Sequence, residues 1–157
     1  MEDTVHPDET KLYKEIDLIQ ACITRMADNS FRLKELYISL LAVMLTVLIS
    51  QKCNLIIIGI FSLGITTIFW SLDAFFLEME TLYRWKYEWV IIQRPAGNTK
   101  HLYDLNPHNK ETRPQGKKES FFPFFISKTL RVFYGIIWIA SIGVIIYAMT
   151  NYAIAAL

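Results

Sequence analysis

The chain has 157 residues, 53% of them hydrophobic and 20% charged, with a mean hydropathy of +0.28 and a formal net charge of +1. Its apolar residues gather in long charge-free runs, a composition that excludes an ordinary soluble globular domain, and near-neutrality excludes whole-chain attraction as a guide to partners. The charge is unevenly spread, with eight acids and five bases from Met1 to Glu35 but three acids and eight bases from Arg94 to Arg131. The second segment suits anionic lipid head groups, nucleotides or nucleic acid, or simply the positive-inside flanks of membrane helices.

Met1 to Thr10 is acidic and contains Pro7, so it reads as a loosely packed arm; it lacks the basic-then-apolar plan of a cleaved secretory signal. From Lys11 to Ala27, Leu12, Ile16, Ile19, Ile23 and Met26 recur every three or four residues, the pattern of an amphipathic helix, with Glu15 and Asp17 assigned to its polar face. Asp28-Asn29-Ser30 reads as an interruption or as the cap of the next helix. Leu36 to Gln51 carries no charge and forms a first span over about 36–52, with Tyr37 and Lys52 at the two interfaces. Gln51-Lys52-Cys53-Asn54 is a tight turn back into the membrane.

Cys53 to Leu72 is again free of charge, giving a second span over about 54–74, and Asp73, Glu78, Glu80, Arg84, Lys86 and Glu88 follow with no proline. One helix of about 35 residues rises roughly 50 Å, more than a ~30 Å hydrocarbon core covers, so its end projects into water. Gly59, Ser62 and Thr66 share one face, which continues through Phe69 to Asp73. This small, weakly polar stripe either packs against the first span or lines a water-filled path in an oligomer. Asp73 at the lipid boundary needs a basic partner, for which Arg32 is the expected choice, while Glu80–Arg84 and Arg84–Glu88 are i,i+4 pairs. Phe69, Phe76 and Tyr83 repeat every seven residues, as in a helix packed within a bundle.

Trp89 to Gln93 ends the helix or begins a short strand, and Arg94-Pro95-Ala96-Gly97-Asn98 is a clear breaker. The loop over 94–122 supplies Arg94, Lys100, Lys110, Arg113, Lys117 and Lys118 as candidates for binding a nucleic-acid-like ligand. Ser120 to Phe125 returns the chain to the lipid interface, and Val132 to Leu157 is a charge-free third span within 123–157. Arg25, Arg32, Lys34, Arg84, Lys86, Lys128 and Arg131 all favour one side, which places the N-terminus inside and the C-terminus outside. The expected fold is an all-α membrane protein with three transmembrane helices. Its regions are an arm and amphipathic helix over 1–35, a membrane hairpin over 36–76, a cytosolic extension over 77–93, the basic loop and the third span.

The chain carries no nucleophile elbow, phosphate-binding glycine loop, zinc protease motif or dinucleotide fingerprint, so neither an enzyme nor a cofactor is expected. Cys22 and Cys53 fall in regions predicted to lie apart, which argues against a disulfide. His101, Asp104 and His108 are the nearest approach to a ligand cluster, but Asn106-Pro107 breaks their helical spacing, and no metal site is expected. Asp73, Glu78 and Glu80 lie near Arg32, Lys34 and Arg84, which favours ion pairing over acid-base chemistry.

The segment Arg32 to Tyr37 and the block Phe69-Trp70-Ser71-Leu72-Asp73-Ala74-Phe75-Phe76-Leu77-Glu78-Met79-Glu80-Thr81-Leu82-Tyr83-Arg84 resemble small transmembrane effectors of bacterial anti-phage systems, such as the channel-forming component of the Hailong system. The resemblance covers roughly Arg32 to Val90 and carries over no gating or ligand residue. It implies a homo-oligomer in the bacterial inner membrane that is held closed and opens during infection, released or activated by a nucleotide or oligonucleotide signal that a partner nucleotidyltransferase makes. The competing expectation is a non-conducting membrane adaptor that recruits a cytosolic partner through its amphipathic helices.

Overall fold

The computed structural model describes Pro7 to Ala155; Met1 to His6 of the expected arm and the final two residues of the expected third span lie outside the described residues. Its elements are α1 (Pro7–Ser50), α2 (Leu55–Gln93), a single 3₁₀ turn at Lys110–Thr112, α3 (Phe122–Phe125) and α4 (Lys128–Ala155), with no strand among the described residues. Three of these helices are long and apolar enough to cross a membrane.

Helix α1 starts on Pro7, at a position where a missing N–H costs nothing, so Pro7 to Thr10 is helical rather than part of a loose arm. It contains no glycine and no further proline, and it runs unbroken through Asp28-Asn29-Ser30 instead of stopping there. Such residues weaken a helix mainly when their side chains compete for its backbone. The Ser30 hydroxyl instead donates to Asp73 Oδ1 at 2.5 Å. The helix ends as expected at Gln51 to Asn54, where Lys52 takes φ 52° and the Cys53 N–H reaches back to the Leu48 carbonyl at 3.0 Å. Asn54 Oδ1 accepts from the Ile56 N–H at 2.9 Å and caps α2. Helix α2 continues to Gln93, which resolves the strand alternative at Trp89 to Gln93 in favour of helix, and Pro95 and Gly97 (φ 80°) follow.

The chain divides into two compact units. Unit 1 comprises Met1–Asn29 and Phe76–Ser120; unit 2 comprises Ser30–Phe75 and Phe121–Leu157. In unit 1 the predicted α1 stripe turns inward: Ile19 is fully buried, and Met26 packs on the cluster of Met79, Leu82 and Trp85. The segment over 94–120 is a loop without a core of its own, organised by side chains that cap its turns: Asn98, Asp104, Asn106 and Asn109 each accept from a backbone N–H two residues on. Lys86, fully buried, anchors this loop by donating to the Asn106 carbonyl at 3.0 Å and lying 3.4 Å from Asp104.

Unit 2 is built from parts of α1 and α2 together with α3 and α4. Tyr37 sits at its centre, with ring centroids 5.4 Å from Phe69 and 5.1 Å from Tyr134. Its outer surface stays apolar: Val43, Ile49, Phe61, Ile136, Ile139 and Ile154 are all more than half exposed. Hydrocarbon, rather than water, is the solvent that such a surface suits, and helices satisfy their backbone groups internally there. Helix α4 begins at Lys128, so both cations expected to precede the third span lie inside its first turns.

Candidate functional site

The stripe Gly59, Ser62, Thr66, Phe69 and Asp73 lies inside unit 2 and is buried along its whole length. Each of its polar groups meets a side chain from another helix. Asp73, with no solvent exposure, is 2.6 Å from the Lys34 ammonium and accepts from Ser30 Oγ and, at 3.1 Å, from the Tyr134 hydroxyl. Lys34 Nζ also donates to Ser30 Oγ at 2.7 Å, closing a compact network around the carboxylate. Toward the start of α2, the Tyr37 hydroxyl is 2.9 Å from Thr66 Oγ1, and Thr66 donates to the Ser62 carbonyl at 2.6 Å. Ser141 Oγ then lies 2.9 Å from Ser62 Oγ. A Cβ on Gly59 would stand 2.5 Å from Ile145 Cγ1, so glycine is what permits the approach of α4 at that level.

Within the chain these contacts pack the stripe against side chains of α1 and α4. The expected Arg32–Asp73 pair is corrected: Lys34 holds Asp73, and Arg32 is exposed. The geometric reason is periodicity, since Ser30, Lys34, Tyr37 and Leu41 are separated by four, three and four residues and form the inward face of α1, which Arg32 does not share. That spacing was present in the sequence as a signal. On α4 the corresponding residues are Tyr134, Ser141 and Ala148, all buried and seven apart.

Within unit 1, the Glu80–Arg84 pair forms as expected, with Nη2 to Oε1 at 2.7 Å and the guanidinium exposed. Two of the six basic candidates are used internally instead of facing a ligand. Arg94 makes a two-pronged pair with buried Glu15, both contacts at 2.7 Å, and donates to the Asn98 and Lys100 carbonyls. Glu15 also accepts from the Tyr103 N–H at 3.2 Å. Its assignment to a polar face is thereby overturned: it lies three residues after Leu12 and four before Ile19, on the buried stripe. Arg113 pairs with Glu119 and donates to the His108 carbonyl. Lys100, Lys110, Lys117 and Lys118 remain exposed, Lys117 with its ammonium 5.4 Å from the Trp85 ring centre and Lys100 at 3.9 Å from Glu111.

Of the expected cluster, His101 lies 3.8 Å from Asp104 and pairs with Glu111 at 3.0 Å, whereas His108 pairs with Glu119. Asp104, which also faces Lys86, has its carboxyl held below the ordinary carboxylate range, chiefly by the Asn106 backbone N–H. Among the described residues no cluster of His, Cys, Asp and Glu is placed to hold a metal ion. The arrangement can fix three helices around a neutralised carboxylate and pin a loop onto α2. No family model, curated protein or solved structure matches this chain.

Proposed function

We propose that the chain is one subunit of an oligomeric, ion-channel-like effector of the bacterial inner membrane, with its N-terminus inside and its C-terminus outside. In this reading it depolarises the membrane when a nucleotide or oligonucleotide made during phage infection reaches its cytosolic side. The observation that carries the proposal is the outward face of α1. Ser39, Ala42 and Thr46 are exposed there at helical spacing, below the exposed charges Arg32 and Glu35. Ser39 and Thr46 return their hydroxyl protons to the Glu35 and Ala42 carbonyls, which leaves oxygen lone pairs outward on the otherwise apolar stretch of α1 after Glu35. With the α2 stripe enclosed in the subunit, α1 supplies the weakly polar surface that several copies turn toward a common path. The exposed lysines Lys100, Lys110, Lys117 and Lys118 are the ligand-facing candidates that remain.

The test is ion flux and single-channel recording from the purified protein in lipid bilayers, with and without nucleotide extract from infected cells. Discrete conductance that Thr46→Trp abolishes and Ile68→Trp, at an exposed position of α2, leaves intact supports a path lined by α1. Inserted oligomers that stay electrically silent under every condition would reject it.

A non-conducting adaptor is the alternative, favoured by an open groove in unit 1. The groove has a volume of about 420 Å³ and is lined by Gln20, Ile23 and Thr24 of α1 and by Arg84, Tyr87 and Glu88 of α2. A partner helix laid between the two would complete a small bundle.

A further inference from the structure

Between the loop and α4 the chain passes through Phe121-Phe122-Pro123-Phe124-Phe125-Ile126, of which Phe122 to Phe125 form the single turn α3. This turn is pinned from one side. Trp70 stacks on Phe125 with ring centroids 4.7 Å apart and planes 10° from parallel, and its indole N–H donates to the Phe125 carbonyl at 2.7 Å. Pinning Phe125 leaves the neighbouring apolar side chains outside: Phe121 is 41%, Phe122 67% and Ile126 49% exposed. An aromatic wedge held rigidly and left uncovered suits the boundary between hydrocarbon and head groups, where aromatic rings concentrate.

Charge supplies the second half of the inference. From Phe121 to Leu157 the only charged residues are Lys128 and Arg131, and both are exposed. They are three residues apart, hence neighbours on one face in the first turns of α4. Among the described residues neither cation has an acid within ion-pairing distance, and buried Asp73 is already held by Lys34, Ser30 and Tyr134. Two exposed cations and an exposed aromatic wedge within eleven residues match a ligand with an anionic phosphate and an apolar tail.

We propose that Lys128 and Arg131 form a binding site for the phosphate of an anionic phospholipid, with Phe122 and Ile126 against its acyl region. Occupation fixes the depth of α4 in the membrane and makes the protein selective for anionic lipid. The site is independent of whether the assembly conducts.

Trp70 provides the probe. The full chain, with Trp85, Trp89 and Trp138 replaced by Phe, is reconstituted into phosphatidylcholine vesicles containing phosphatidylglycerol, with one lipid or the other brominated in its chains. Brominated phosphatidylglycerol should quench Trp70 with an apparent preference on the order of fivefold per cation over brominated phosphatidylcholine. Lys128→Gln with Arg131→Gln should bring the preference to unity, and Lys128→Arg should keep it, which separates loss of charge from loss of folding. Phe122→Ser should weaken quenching by both lipids and leave their ratio unchanged. Equal quenching by the two lipids in the parent protein, or an undiminished preference in the double variant, overturns the site. Free glycerol phosphate should not relieve quenching beyond a sodium chloride control of equal ionic strength; relief would assign the site to soluble phosphates instead of lipid.

Discussion

The two units each bury one carboxylate against a cation, and they solve the same problem with different chemistry. In unit 1, Glu15 is satisfied by a guanidinium fork and by a backbone N–H from the loop. In unit 2, Asp73 is satisfied by an ammonium and two hydroxyls, all from side chains. The difference follows from what the backbone has left to give. A loop has free amides and carbonyls to spend on a buried charge, whereas helices have already used theirs, so a helical bundle must recruit serine, tyrosine and lysine. Buried carboxylates in helical bundles are therefore best sought through hydroxyls on the facing helices.

The sharpest way to break the comparison is Arg94→Ala, which strands a buried carboxylate and frees two loop carbonyls. Loss of one partner from a buried pair costs about 3–5 kcal/mol. Denaturant titration in detergent should register it, together with rapid hydrogen exchange over 94–105. Unchanged exchange there would mean that the loop is held by Lys86 alone. In unit 2, Gly59→Ala should destabilise by about 1–3 kcal/mol through overpacking on Ile145, and adding Ile145→Ala should recover part of the loss. No recovery would place the strain on the Ser141 carbonyl, 3.2 Å from the new methyl.

Asp73→Asn keeps the shape and leaves Lys34 without a counter-charge. Because the Lys34 side chain is 21% exposed and reaches water, we expect about 1–2 kcal/mol, less than for Arg94→Ala. An equal or larger loss would show that hydroxyl networks are the less forgiving solution. Tyr37→Phe removes one bond, while Thr66 keeps its link to the Ser62 carbonyl, so about 0.5–1.5 kcal/mol is expected. The smallest effect is acidic. The Asp104 carboxyl is depressed in the folded state, so its contribution is present above the ordinary carboxylate pKa and fades as pH falls through the lower folded value. Lys86 then loses its charged partner and keeps the Asn106 carbonyl, and Trp89 fluorescence, followed as pH drops below about 4, should report loosening that Asp104→Asn shows already at neutral pH.

Much of unit 2 was legible in the chain. The charge-free runs, the turn at Lys52 and the return through Phe121 to Phe125 follow from length, hydropathy and breakers, which act locally. The periodic stripe of α2 was also visible, but its direction was not, because one helix's pattern does not say whether a polar face meets water, a second copy or the same subunit. Ser30, Lys34 and Tyr37 answered that question only when placed with Tyr134 and Ser141, which come from a distant part of the chain.

The basic loop was the least legible. Counting lysines and arginines treated six cations alike, yet Arg94 and Arg113 were already bound to Glu15 and Glu119. Composition cannot separate a cation that is spent from one that is available, since pairing depends on positions far apart in sequence, as with residues 15 and 94. Three stretches long and apolar enough to cross a membrane, and the turns at Gln51 to Asn54 and Arg94 to Asn98, are readable along the chain because hydrophobic periodicity and chain breakers are properties of neighbours. Which polar groups face one another, and that α1 runs unbroken through Asp28 to Ser30, emerge only in the folded chain, because desolvating a charge or hydroxyl is tolerable only where a partner from another element arrives within hydrogen-bonding distance.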